Sequence, residues 1–448
     1  MHASHRAALL DRMQDGDVAV LSGARLVGRN HDVDHPFRQE SGFWYLSGCP
    51  EPEALLLLAK GVQDVPAETL FVLPRDPERE TWDGIRLGPE GARAELGFGA
   101  AETVDAFPAK LEAALAGARR AWCRLGADPA LDRQVVAVLN TLRRKARLGL
   151  HPPEALMDIG LLLDEMRVLK SAEELELLRR AAAITAEGHL LAMAQAAPGG
   201  TEHGLEALLH YTFRRHGGHA GGWAYPSIVA SGSNACILHY TQNDQPLRGG
   251  DLVLIDAGAE YRGYAGDVTR TFPVDGSYTA PQRDVYEVVL QAQLASIDEV
   301  RAGRPYVAFH DTAVRALCEG LRELGVLTES VDAIVEQQLY RPWYMHNTGH
   351  YLGLDVHDAG RYMVGGDSRP LEPGMVLTVE PGLYFRADDE RVPEPLRGIG
   401  VRIEDDVHVT GGDPEILTAA VPKTVADVEA ACAARRAEPP QLDSEVLA

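Results

Sequence analysis

The segment DLVLIDAGAEYRGYAGDVTRTF, residues 251–272, contains two strand-like runs on either side of a glycine-containing turn. The aliphatic run LVLI predicts a buried strand that ends at Asp256. A hairpin axis between Tyr261 and Arg262 would place Asp256 directly opposite Asp267, with Cβ atoms about 4.5–5.5 Å apart. Two carboxylates at that distance repel each other unless a proton or a cation lies between them. The pair therefore indicates a cation site, and two ordinary turn-flanking aspartates are the alternative.

Two more carboxylates follow toward the C-terminus. In GIGVRIEDDVHV, residues 398–409, strand alternation places Arg402 and Glu404 on one face. A solvated surface pair, which would contribute little, is the alternative there. Glu380 ends an apolar run at a Pro-Gly break, where a rigid scaffold commonly presents functional groups. A simple strand-terminating glutamate would look the same.

Four histidines lie beside glycines and apolar runs: His239 in CILHYTQND, His346 and His350 in HNTGHYLG, and His357 in LDVHDAG. A lone histidine is more often structural than a ligand, but this grouping favours a functional site. Four carboxylates with one imidazole form a mostly oxygen donor set, which suits a cation such as Mn²⁺ better than a thiolate-binding metal. Four acidic ligands can neutralise two divalent ions.

The chain divides into two predicted domains, residues 1–168 and 169–448. The first alternates strand-like and helix-like segments and reads as a small α/β domain. Its expected elements are strands Val18–Leu21, Leu55–Leu58 and Leu70–Leu73, and helices Leu111–Arg120 and Leu131–Leu142. The second opens with a helix capped by Ser171 and Glu174 and continues into strand-like runs, which predicts an α+β domain. A polar, proline-containing tail is expected from Pro439.

The composition excludes several classes of function. The 448 residues have a formal net charge of −23, which argues against nucleic-acid binding and against docking on an anionic membrane. The five cysteines form no C-x-x-C pair, and the N-terminus has no signal-peptide core, so a cytoplasmic location is expected. No H-E-x-x-H, G-x-S-x-G or phosphate-loop motif occurs.

The order Asp256, Asp267, His350, Glu380, Glu404 resembles the pita-bread metallopeptidases, which include methionine aminopeptidase, prolidase and aminopeptidase P. The resemblance covers residues 171–411, and the stretch RNHDVDHPFRQESGFWYLSG resembles the N-terminal domain shared by aminopeptidase P and prolidase. The strings HYTQND and HNTGHYLGLDVHD are similar to bacterial Xaa-Pro aminopeptidases. The resemblance implies a pita-bread catalytic domain preceded by the smaller α/β domain.

The resemblance also implies a ligand set for two divalent metal ions, with Mn²⁺ expected and Co²⁺ or Zn²⁺ as alternatives. In that family Asp267 and Glu404 would bridge the ions, Asp256 would chelate one, and His350 and Glu380 would hold the other. A hydroxide that bridges the two ions would attack the scissile carbonyl of an Xaa-Pro bond, and Glu380 would shuttle the proton.

Further roles follow from the same resemblance. His239 and His357 match substrate-contacting histidines, His346 is assigned to substrate binding beside them, and Arg402 would orient Glu404. The implied partners are peptides with proline in second position and further copies of the chain, as a dimer or tetramer. Trp82 resembles a tryptophan that walls a neighbouring subunit's active site, with a packed core indole as the alternative. Asp32 and Arg147 are also expected to border the site.

Other functions remain as alternatives. Methionine aminopeptidase is disfavoured because it lacks the long N-terminal domain, and prolidase, which accepts only dipeptides, is the nearest alternative. A non-catalytic pita-bread module that binds peptides, or a creatinase-like amidinohydrolase, would lack the metal ligands that are all present here. Coincidentally aligned carboxylates on an acidic scaffold are the remaining possibility, which metal stoichiometry would test.

Overall fold

The computed structural model describes residues 1–217 and 222–434, so the tail expected from Pro439 lies outside the described residues. The chain forms two compact units, Met1–Arg167 and Val168–Ala448. Among the described residues, no helix has both the length and the apolar character needed to cross a membrane.

Unit 1 is built around a mixed sheet with helices, as expected for an α/β domain. Its helices are α1 (His2–Arg12), α2 (Ser41–Ser47), α3 (Pro77–Asp83), α4 (Gly88–Leu96), α5 (Phe107–Ala116), α6 (Pro129–Arg144) and α7 (Gly160–Val168, which ends at the first residue of the second unit). Its strands are β1 (Asp17–Ser22), β2 (Gly28–Asn30), β3 (Val33–Asp34), β4 (Leu55–Lys60), β5 (Glu68–Val72), β6 (Ala100–Thr103), β7 (Arg120–Cys123) and β8 (Ala155–Asp158). The sheet order is β6-β5-β4-β1-β7-β8, in which β4 runs antiparallel to β1 and β7 runs parallel to it.

One predicted helix of unit 1 has the wrong C-terminal boundary. The helix expected over Leu111–Arg120 ends at Ala116, and Arg120 is instead the first residue of β7. Tertiary pairing explains the difference, because β7 joins β1 in parallel and both Arg120 and Trp122 donate hydrogen bonds to the buried Asp17 carboxylate. The helical pattern of the preceding residues gives no sign of this partner.

Unit 2 contains helices and several small antiparallel sheets. The helices are α8 (Ala172–Gln195), α9 (Glu202–Arg215), α10 (Ala280–Asp298), α11 (Ala308–Glu323), α12 (Val331–Glu336) and α13 (Val425–Ala433). The strands are β9 (Ile228–Ser231), β10 (Leu252–Asp256), β11 (Glu260–Tyr261), β12 (Tyr264–Ala265), β13 (Thr269–Pro273), β14 (Met363–Val364), β15 (Asp367–Ser368), β16 (Val376–Val379), β17 (Gly382–Tyr384), β18 (Gly400–Arg402), β19 (Asp405–His408) and β20 (Glu415–Ile416). The predicted capping box at the start of α8 is present, since the Ser171 side chain accepts from the Glu174 N–H and the Glu174 carboxylate accepts from the Ser171 N–H.

The predicted register of the central hairpin is wrong by two residues. Asp256 pairs with Thr269, so Asp256 and Asp267 are not directly opposite each other. The turn is formed by Arg262 and Gly263, both with positive φ, a geometry that suits a tight two-residue hairpin turn. An even shift keeps the two aspartates on the same face, because side chains alternate with a period of two.

The strand indicated by the alternation within residues 398–409 is interrupted beside the site. β18 pairs with β17 and β19 pairs with β16, so Ile403 and Glu404 lie between two strands that belong to different sheets. The backbone N–H of Glu404 instead donates to the carbonyl of Thr269. This bridge holds Glu404 against the strand that follows Asp267.

Candidate active site

A cavity of about 560 Å³ in unit 2 collects every site residue that was predicted in that unit. Its lining includes Asp256, Asp267, His350, Glu380, Glu404, His239, His346, His357 and Arg402. The residues come from distant parts of the sequence, and the ends of β10, β16 and β18 bring several of them to one place. The residues recognised by their order in the sequence therefore form one group in the folded structure.

Three of the predicted metal ligands form a compact set. Single donor atoms of Asp267, His350 and Glu404 all lie within 4.8 Å of one another. The His350 Nε2 atom is 3.5 Å from Asp267 Oδ2 and 3.5 Å from Glu380 Oε1. Its Nδ1 lies 3.0 Å from the Tyr351 carbonyl oxygen, which can only accept, so Nδ1 carries the proton and Nε2 keeps a free lone pair. This is the arrangement expected of an imidazole ligand.

Glu380 lies at the end of β16, against the loop that carries His350. Its backbone N–H donates to the Thr348 carbonyl at 2.8 Å, and its Oε1 accepts from the Thr378 hydroxyl at 3.3 Å. The same Thr378 hydroxyl accepts from the backbone N–H of His350 at 3.1 Å. A Cβ atom at Gly349 would overlap the Thr378 carbonyl, so a residue without a side chain is required for this close approach.

Asp256 joins the group through Tyr225 and Arg402. The Tyr225 hydroxyl is 2.6 Å from Asp256 Oδ1 and also contacts Asp267 Oδ1. Because a phenol has one proton, it can donate to only one of these oxygens, and the other contact favours a second proton or a cation nearby. Asp256 Oδ2 accepts from Arg402 Nη2 at 2.6 Å.

Arg402 is a buried cation among these carboxylates, with 3% of its surface exposed. Its Nε donates to the Thr269 hydroxyl at 3.0 Å, and that hydroxyl donates to Glu404 Oε2 at 2.6 Å. Its Nη1 donates to the Tyr384 hydroxyl, which also lies 2.8 Å from His346 Nε2. Arg402 thus reaches Asp256 directly and Glu404 through one hydroxyl.

A second layer of buried charge holds the backbone of two of the predicted metal ligands, Glu404 and Asp267. Arg270 donates to the Glu404 carbonyl and forms a 2.8 Å ion pair with Asp405, whose side chain is fully buried. The carboxylate of Asp406 accepts from the backbone N–H of Asp267 at 3.1 Å. These contacts hold the backbone of Glu404 and Asp267, from which the two central carboxylates extend.

The electrostatics of the site suit a divalent cation. Burial, with repulsion from Asp256, raises the pKa of Asp267 well above its usual range, and burial with repulsion from Asp267 does the same for the pKa of Glu404. Burial raises the pKa of Glu380 to about 7 and lowers the pKa of His350 to about 4. Carboxylates this crowded are costly without a compensating positive charge, and Arg402 supplies only one. Oxygen ligands with one neutral imidazole therefore fit a divalent metal ion.

Several residues of the site were missed in the sequence. Thr269 lies two positions after Asp267 in the second strand-like run of the sequence, so alternation could have identified it. Tyr384 follows Glu380 by four residues and carries no comparable signal. Tyr225 lies in WAYPS, outside every motif, and only the fold brings it to the aspartates.

Trp82 is an exposed residue of unit 1. It lies on α3 of unit 1 with 85% of its surface exposed, so the packed-core alternative is wrong. Asp32 and Arg147 are also exposed residues of unit 1.

Comparisons with known proteins agree with this geometry. Residues 176–411 match the model of metallopeptidase family M24, and residues 2–122 match the aminopeptidase P N-terminal domain. The chain is 45% identical to the Xaa-Pro aminopeptidase of Escherichia coli over 96% of this chain and 97% of that protein. Mouse Xaa-Pro aminopeptidase 3 is 34% identical over 96% of this chain and 83% of its own.

Solved structures are equally similar. Pseudomonas aeruginosa aminopeptidase PepP superposes with a TM-score of 0.94 at 45% identity, covering 97% of both chains. Zinc-substituted Escherichia coli aminopeptidase P in complex with product gives a TM-score of 0.94 at 44% identity, covering 98% of both chains. The expected fold class is thereby confirmed, and the chain belongs to the Xaa-Pro aminopeptidases of metallopeptidase family M24.

Proposed function

We propose that this enzyme hydrolyses the bond between the N-terminal residue and a proline in second position of a peptide, using two divalent metal ions. The observation that carries the proposal is the convergence of four carboxylates and one imidazole in a single cavity of about 560 Å³. Substrate is bound by a variant of Escherichia coli aminopeptidase P whose structure superposes on this chain with a TM-score of 0.93. That complex supports a peptide as the substrate class here.

The ligand roles are part of the proposal. Asp267 and Glu404 would bridge the two ions, Asp256 would complete one position, and His350 and Glu380 would complete the other. The compact set of donor atoms supports this division, as does the 3.5 Å separation between His350 Nε2 and Glu380 Oε1. When bound, such ions lower the pKa of water toward about 7 and polarise a carbonyl group. The oxygen-rich donor set favours Mn²⁺, with Co²⁺ and Zn²⁺ as alternatives.

The remaining residues act on the substrate and its protons. Glu380 would accept a proton from the attacking water and deliver it to the proline nitrogen, since its carboxylate faces the cavity. His239, His346 and His357 would contact the peptide and stabilise the developing oxyanion. Arg402 would hold Asp256 directly and Glu404 through Thr269.

Peptide cleavage tests the proposal. With Mn²⁺ present, we expect an Xaa-Pro-Yaa tripeptide to release free Xaa and the dipeptide Pro-Yaa. A matched Xaa-Ala-Yaa tripeptide is the control and should remain intact. Cleavage of an Xaa-Pro dipeptide alone would indicate a prolidase, and no cleavage at full metal occupancy would favour the non-catalytic module.

Asp256→Asn should lower metal content without unfolding the chain. The amide keeps the size of the side chain and can still accept from Tyr225, but it removes one negative charge from the ligand set. Metal per chain, measured by elemental analysis after dialysis, should fall by up to one ion. The exposed Asp284→Asn on α10 is the matched control, and wild-type metal content in Asp256→Asn would contradict the ligand assignment.

His239→Ala should reduce kcat far more than stability. The imidazole is exposed on the cavity wall, so its loss should change the free energy of unfolding by about 0.5 kcal/mol or less. Loss of a group that stabilises an oxyanion lowers kcat by about 10²–10³-fold. The exposed His203→Ala on α9 serves as the control. A large drop in Tm with unchanged kcat would instead support a structural histidine.

We also propose that the chain forms a homo-oligomer, a dimer or tetramer, in which Trp82 of one copy borders the cavity of another. The exposed side chains of Trp82 and Ile85, at 85% and 83%, support a contact surface in this part of unit 1. Asp32 and Arg147 would border the same cavity. Sedimentation analysis tests this, because a fully active monomer would contradict it.

A further inference from the structure

A fully buried ion pair joins the first residues of unit 2 to the loop that carries His357. Lys170 Nζ lies 3.0 Å from Asp358 Oδ2, and each side chain is only 1% exposed. A Cβ atom at Gly353 would overlap Asp358 Oδ2, so the loop is shaped around this carboxylate. A buried pair of this kind is weak evidence for net stability, because desolvation offsets much of the attraction. Its position next to His357 suggests another role.

The side chain of His357 is exposed in the cavity lining. Among residues 1–217 and 222–434, no hydrogen bond is found for its imidazole, which only meets the His350 ring edge-on with centroids 4.3 Å apart. Asp358 is the next residue in the chain, with its Cα atom about 3.8 Å from that of His357. A change in the backbone at Asp358 therefore alters the point from which the His357 side chain extends.

Backbone hydrogen bonds hold both residues of the ion pair. The Lys170 N–H donates to the Gly374 carbonyl at 2.8 Å, and the Asp358 N–H donates to the Tyr351 carbonyl at 2.8 Å. A Cβ atom at Gly360 would overlap the Val168 side chain, so the far end of the loop packs against the same segment. Lys170 thus connects two anchored stretches of backbone.

We propose that Lys170 is a positioning residue for peptide hydrolysis, which holds His357 over the cavity through its ion pair with Asp358. The inference rests on the proposed function. Lys170 should act independently of the proposed metal ligands, because the backbone N–H of His350 is held by the Thr378 hydroxyl. Lys170→Met should lower kcat by up to about 100-fold, because misplacement of a catalytic contact by an ångström has effects of that size. Metal content should be unchanged.

A double-mutant cycle tests whether Lys170 acts through His357. In the wild-type background Lys170→Met should lower kcat, whereas in a His357→Ala background it should have no further effect. Equal losses in both backgrounds would overturn the inference. Arg179→Met, which breaks the half-exposed pair with Glu415 elsewhere in unit 2, is the control and should leave kcat unchanged.

A second variant separates positioning from stability. Lys170→Met removes the cation that is paired with a buried carboxylate and lowers Tm, but Lys170→Met/Asp358→Asn removes both charges and should recover most of that loss. We expect kcat to remain low in the double variant. Recovery of kcat together with Tm would show a merely structural pair and overturn the inference.

Histidine NMR provides a readout that does not depend on activity. In Lys170→Met, the ring signals of His357 should shift while those of His239 stay in place. Unchanged His357 signals would overturn the inference. Failure of the wild-type chain to cleave any Xaa-Pro peptide would overturn the proposed function instead, and the NMR comparison would still decide whether Lys170 positions His357.

Discussion

Glu380→Gln is expected to lower kcat for an Xaa-Pro-Yaa peptide by about 10²–10⁴-fold, the usual contribution of a positioned general base or acid. The amide cannot accept the proton of the attacking water, and it is a poorer metal ligand than a carboxylate. The fold should persist, because the amide oxygen can still accept from the Thr378 hydroxyl and one negative charge leaves a crowded group.

Three measurements are needed for this variant: kcat, Tm and metal per chain. The exposed Glu394→Gln, which lies outside the cavity lining, should behave as wild type. Near-normal turnover of Glu380→Gln at full metal content would refute the role assigned to this carboxylate. If the loss of kcat is fully explained by the loss of bound metal, Glu380 acts as a metal ligand and not as a proton acceptor.

Arg402→Met should have the largest effect on stability, and the effect should depend on metal. The change keeps much of the side-chain volume but removes a buried cation that contacts Asp256, Thr269 and Tyr384. Removal of one partner from a buried pair costs about 3–5 kcal/mol. Bound Mn²⁺ restores positive charge and stabilises the folded state, so the loss should shrink when metal is added.

Denaturant unfolding with a chelator and with saturating Mn²⁺ measures this difference. Arg402→Lys is the informative comparison, because it keeps the charge but not the planar fork that reaches three partners. It should recover part of the stability and little of kcat. Wild-type stability of Arg402→Met under both conditions would contradict the role of Arg402 as the charge that balances the carboxylates.

The residues that line the cavity of unit 2 were predicted from the sequence more accurately than the pairing and contacts between them. Asp256 is the last residue of β10 and Asp267 lies just before β13, and strand alternation in the sequence places both on one face. The hairpin register depends on which two residues form the turn, and the positive φ of Arg262 gives no signal in a sequence. An even error in register leaves the face unchanged, which is why both aspartates still line the cavity.

Other features depend on contacts between distant segments. Tyr225 reaches both aspartates across a fold that no local pattern describes. The end of α5 is set by the pairing of β7 with β1, and the break at Glu404 by strands that belong to separate sheets. Lys170 and Asp358 are 188 residues apart, so only the fold shows that they pair. In each of these cases, contacts between distant segments determine the structure and override the local sequence preference.

Stepwise addition of Mn²⁺ to the metal-free enzyme, with hydrolysis of an Xaa-Pro-Yaa tripeptide as the readout, tests the central claim most directly. The site described here predicts no cleavage in the presence of a chelator. Cleavage should then rise with added metal and reach a plateau at two ions per chain. Full cleavage by the metal-free chain would contradict the assignment of these carboxylates to a catalytic metal site.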